Sequence, residues 1–173
     1  MSNQSAVNVV RDQYSQMKGW LDGTMEGVNE ELAHYDPPGL PVSIGAQAAH
    51  VVTGIDFFLL GLAAGKAPLL TSSFSEKSGI SSPPPAGGDW VEWASTVKVD
   101  LPAMHAYSNA VFAAVDDYLA SLSDEDLYTE KEFGSAGSQT VLWAFNILIL
   151  NTYSHVGEIS CIKGMQGLKG YPF

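Results

Sequence analysis

Apolar side chains return every three or four residues at Val7, Val10, Tyr14, Met17, Leu21, Met25, Val28 and Leu32. Steps of that size put them in one stripe on a helix of about 25 residues. Pro37, Pro38, Gly39 and Pro41 follow, and this cluster ends the helix and forces a turn. A second helix is predicted from Ser43, a suitable N-cap, with Ile44, Val51, Ile55, Phe58, Leu59 and Leu62 on its core face. It carries so few polar residues that most of its circumference should be buried. Gly61, Gly65 and Pro68 mark its end.

From Lys66 to Gly88 no period survives. Serines, threonine, three consecutive prolines and paired glycines read as a long loop, either a lid over a site or a connector. Asp89 with Glu92 three residues on resembles a capping box opening a third helix. That helix continues through Leu101, Met104, Phe112, Val115, Tyr118, Leu119 and Leu122, with Pro102 expected to kink it or split it in two. Ser123 to Asp126 closes it. Leu127 to Gly137, with mixed charges and two glycines, reads as a surface loop, with a short paired strand as the alternative. The fourth helix is predicted from near Ser138 to about Gly164, with Leu142, Phe145, Ile149, Tyr153, Val156, Ile159 and Ile162 inward. Four such segments predict an all-α, antiparallel four-helix bundle, a single domain over residues 1–173.

Composition narrows the function. With 46% hydrophobic and 16% charged residues, the 173-residue chain can build a core, and it does not read as disordered. The lone cysteine, Cys161, cannot form an internal disulfide and is expected to be a buried, inert thiol. A formal charge of −11 repels nucleic acid and anionic lipid, so neither is an expected partner. Met1 to Gln4 carries neither the basic start nor the apolar stretch of a secretory signal, and the expected location is cytoplasmic. No phosphate loop, nucleophile elbow or dinucleotide fingerprint occurs.

Three polar residues fall where a bundle would place apolar ones. His50 is mid-helix in the second segment, and Asn151 and His155 lie four apart in the fourth. That spacing puts the latter two on one helix face, with Cβ atoms ~6 Å apart. Glu158 is a further turn along. Side chains from facing helices build metal sites in bundles, and neutral imidazole suits zinc, nickel, iron and copper. The same three residues can equally be a hydrogen-bonded polar network that fixes helix register. His34, beside Glu30 and Glu31, reads as an imidazolium complementing a helix end. His105 can face core or solvent, and Trp20, Trp90, Trp93 and Trp143 read as core or loop anchors.

Three stretches carry a family resemblance. Ser43 to Val51 is similar to a helix-two pattern that ends in a ligand histidine and an aliphatic residue. Asn151 to Ile159 is similar to a helix-four pattern of two ligand histidines four apart, followed by x-Gly-Gln/Glu-Ile. Gly164 to Phe173 is like the tail of many members. On these the chain resembles the DinB-like superfamily of metalloenzymes, related to metal-dependent thiol S-transferases. The resemblance implies His50, Asn151 and His155 as metal ligands, with Asn151 standing where a histidine is usual. An amide oxygen is a harder, weaker and uncharged ligand, so zinc or nickel should be held less tightly. Glu158 would then orient His155 from behind.

Two functions follow. One is a metal-dependent S-transferase, isomerase or hydrolase acting on a small molecule, with a low-molecular-weight thiol such as bacillithiol, mycothiol or glutathione. In it the metal would lower the pKa of a thiol or water. The other is a metal-free relative that binds a small ligand or acts as a structural dimer, having lost the three-histidine site. The resemblance implies a homodimer in either case.

Overall fold

The computed structural model describes residues 5–39, 42–85 and 90–173. Ser5 opens α1 (Ala6–Met25) by accepting the Asn8 N–H. Asp124, 117 residues further along the chain, accepts the Val7 N–H at 3.0 Å. Backbone N–H groups of Val7 and Ala6 hold that carboxyl below its ordinary pKa, as expected at the positive end of a helix. The stripe of Val7, Val10, Tyr14, Met17 and Leu21 is buried as predicted. The helix is shorter than its periodicity suggested, because Gly27 takes φ +76° and turns the chain. Of the two periodic residues beyond it, Val28 lies in the connection and Leu32 on a separate single turn, α2 (Glu30–Ala33), capped by Asn29.

Ser43 caps α3 (Ile44–Ile55), and all of α3 except His50 and Gly54 is buried. The helix runs on as a wider π-helical stretch, Asp56–Ala63. Ile44–Ala63 is long and apolar enough to cross a membrane, yet 67% of its most apolar 18-residue window is buried inside the protein, as in a core helix. Asp56 is committed within the fold: its carboxylate accepts the N–H groups of Leu69 and Leu70, both at 2.8 Å, and the Tyr107 hydroxyl at 2.7 Å.

The segment after α3 is pinned rather than free-running over its described part. Ser81 N–H donates to Lys98 O, Asp100 N–H to Gly79 O, and Ile80 bridges Val99. Gly79 has φ +74°, and a Cβ there would lie 2.5 Å from the Met104 nitrogen, so only glycine fits. The Asp89 cap expected from sequence lies outside the described residues. The third helical segment is split, as α4 (Trp90–Thr96) and α5 (Leu101–Ala120). Asp100 caps α5, and Pro102 sits in its first turn, where a missing N–H costs nothing.

The loop expected from Leu127 to Gly137 is corrected. Glu130–Glu132 (β1) pairs antiparallel with Ser138–Thr140 (β2), Lys131 opposite Gln139. The fourth helix consequently starts later than expected, as α6 (Val141–Met165), capped by Thr140. β1 is exposed throughout, so no alternation announced it. What anchors the hairpin is Phe133, buried just beyond it and stacked on Phe58 at 6.1 Å. Burying such a ring is worth roughly 2–3 kcal/mol.

The protein is thus mostly helical with one small hairpin. α6 packs on α1 and α3, and α5 packs on the same two helices. Lys163, almost wholly buried on α6, donates to the carbonyls of Thr24 (2.6 Å) and Glu26 (2.7 Å) and so closes the C-terminal end of α1. Burial lowers its pKa and Glu26 opposes the shift. Cys161 is exposed, contrary to expectation, because the inward face of α6 at this level is taken by Ser160, Ile162 and Lys163.

Candidate metal centre between two helices

The rings of His50 on α3 and His155 on α6 lie 5.1 Å apart between centroids, at 69°. Residues 105 positions apart in the chain meet because α3 packs directly on α6. His155 is buried and His50 half-buried. Burial, and secondarily His155, lowers the His50 pKa to about 4, so at neutral pH this ring carries a lone pair and no charge.

The orientation of His155 is set by a relay that begins at the backbone. Gln47, wholly buried one turn before His50, donates its amide N–H to Val42 O at 2.9 Å. That bond turns the amide oxygen toward His155 Nδ1, at 3.2 Å. Glu158 places a carboxylate oxygen 3.1 Å from the same nitrogen. Both neighbours are acceptors, so Nδ1 is the nitrogen that carries hydrogen. In the neutral ring Nε2 therefore holds the lone pair, the arrangement found where a carboxylate orients a metal-binding histidine.

Asn151 is half-buried, one turn before His155 on α6. Helix geometry places it on the same face as His155. Among the described residues, no three His, Cys, Asp or Glu side chains are grouped to hold a metal ion. What the structure brings together is thus two imidazoles, one of them held in orientation, which is fewer protein ligands than a closed structural centre uses.

Trp90 forms a wall beside this pair, 4.7 Å from the His50 ring and 6.2 Å from that of His155. Trp93 stands behind it at 6.1 Å. Sequence reasoning gave no site role to Gln47 or Trp90. Gln47 was visible as the single polar residue in the run Ala46 to Ala49, whereas nothing local distinguishes Trp90 from an ordinary anchor.

The other histidines lie elsewhere. His34 does stand at a helix end, as the C-cap of α2, but it is not an imidazolium there. Its Nε2 accepts the Val99 N–H at 3.0 Å, and its Nδ1 lies 2.9 Å from Glu30 O, to which it donates. Only the neutral ring can do both, so His34 is a clasp between α2 and the start of α5. His105 is exposed on α5, beside Asn109.

Comparison with known proteins agrees with the sequence motifs. A conserved protein from Enterococcus faecalis has the same fold, with a TM-score of 0.77 over 92% of this chain and 96% of that one, at 18% identity. A DinB-like protein from Bacillus cereus ATCC 10987 is similar at a TM-score of 0.56, 19% identity, and coverage of 91% and 88%. At such identities the likeness is one of fold. No curated protein matches the sequence. The sequence profile of the DinB superfamily matches residues 13–159, most of the chain, and the protein belongs to that superfamily.

Proposed function

We propose that this protein is a metal-dependent enzyme of the DinB type, a thiol-dependent S-transferase or hydrolase acting on a small molecule. The observation that carries this reading is the approach of the His50 and His155 rings to 5.1 Å, with His155 oriented from behind by Gln47 and Glu158. His50 and His155 would hold a divalent ion, zinc or nickel by their chemistry, with Asn151 completing the protein's share of the shell. When bound, such an ion lowers the pKa of a thiol or water and so makes a nucleophile at neutral pH.

The chain's own residues supply the setting. Gln47 and Glu158 keep the His155 proton on Nδ1. Trp90 offers an indole face against which the apolar part of a substrate can lie, excluding water from one side. The reading is consistent with an antiparallel four-helix bundle assembled as a homodimer in the cytoplasm. A metal-free relative binding a small ligand is the second reading, favoured by the asparagine at position 151.

Metal analysis of untagged protein, before and after zinc or nickel addition, tests the proposal. About one equivalent retained by the wild type and lost in His155→Ala supports it. Metal that stays far below one equivalent after addition, or that His155→Ala leaves unchanged, favours the metal-free relative.

A further inference from the structure

A cavity of about 610 Å³ opens between α1, α3 and the start of α5. On α3 it is lined by Ala48 and Val52. His50 lies about 200° around the helix from Ala48, at 100° per residue, so the cavity and the histidine pair occupy opposite sides of α3. Nothing in the proposed metal chemistry uses this space. Its volume is that of a small-molecule site, and a wall of Leu21, Met25, Val28, Val52 and Met104 makes most of it apolar.

Two carboxylates line the cavity, and His105 and Ser108 supply its other polar side chains. Asp22 on α1 and Glu26, which caps the C-terminal end of that helix, both line the cavity. Their cationic neighbours do not: Lys18 pairs with Asp22 from outside, and Lys163 is spent on the carbonyls of Thr24 and Glu26. Lys18 also donates to Asn109 Oδ1 at 3.2 Å, and Asn109 contacts His105, which links α1 to α5 along the rim. The molecule's charge of −11 further favours a cation over an anion here.

We propose that this cavity is a second small-molecule site, for an amphiphilic amine whose hydrocarbon body lies on the apolar wall and whose ammonium faces Asp22 and Glu26. The site is independent of metal. It is tested on the full chain with hexylammonium, hexanol and hexanoate as probes, by calorimetry and by methyl NMR of the wild type. Hexylammonium should bind saturably at one equivalent, at least about tenfold tighter than hexanoate, a difference of about 1.4 kcal/mol. It should shift the methyls of Met25, Val28, Val52 and Met104. Glu26→Gln should narrow its advantage over hexanol, and Val52→Trp should fill the space and abolish binding. Should Val52→Trp not fold, the wild-type methyl map decides alone. Non-saturable binding, equal affinity for hexanoate, or shifts confined to other methyls would overturn the assignment.

Discussion

Gln47 and His155, 108 residues apart, are joined by a 3.2 Å contact whose direction is dictated by a third group, the carbonyl of Val42. The amide cannot turn over without losing that carbonyl, so it presents oxygen to the imidazole and fixes which ring nitrogen is protonated. Gln47→Leu keeps the bulk and removes the fixing bond. Zinc affinity, measured by competition with a chelator, should fall roughly 10- to 100-fold. In metal-free protein, ¹⁵N NMR should show His155 moving from a single tautomer toward a mixture. An unchanged tautomer with unchanged affinity would mean that Glu158 alone orients the ring.

Asn151 is the residue that separates this chain from a three-histidine centre. Asn151→His should raise zinc affinity by roughly tenfold or more, since imidazole is the better donor to a borderline-soft ion. An affinity that does not move would place Asn151 outside the shell.

His50 makes stability depend on pH. In metal-free protein His50 should titrate near 4 by NMR, against 6.5 for an unperturbed ring. The sign follows: between those values the unfolded chain binds the proton that the folded one refuses. Stability is therefore complete above about pH 6.5 and falls as the pH drops toward 4, by up to about 3 kcal/mol. Urea midpoints measured across that range should decline in step. A His50 titration near 6.5 would contradict the burial of this ring.

Tyr14 contributes an aromatic body to the core beside Phe112 and Phe145, but its hydroxyl is buried with no hydrogen-bond partner among the described residues. Burial also drives its pKa well up. Tyr14→Phe should consequently raise the unfolding free energy by about 1 kcal/mol, read as a higher urea midpoint. A lower midpoint would reveal a partner for that hydroxyl.

Much of the fold was legible because α1 carries a clear apolar stripe, α3 and α6 are long apolar runs, and their caps, Ser43 above all, are local. The errors have local causes too. Gly27 breaks a stripe without interrupting its hydrophobic period, so α1 was read through into α2. The hairpin escaped because β1 is exposed on both faces and its hold on the core, Phe133, lies outside the strand. Cys161 was misplaced by one helical face. At the site, the two histidines stood out as polar residues on apolar helices. The partners that define their chemistry did not, because Gln47 acts through a backbone carbonyl and Trp90 arrives from a separate helix.

The central claim is that His50 and His155 share one metal ion. X-ray absorption spectroscopy on zinc-loaded wild type measures this directly. The account predicts scattering from two imidazoles per zinc with oxygen donors in the remaining positions, reduced to one imidazole or lost in His50→Ala. Zinc surrounded by oxygen alone, or an imidazole count that His50→Ala leaves untouched, would contradict it.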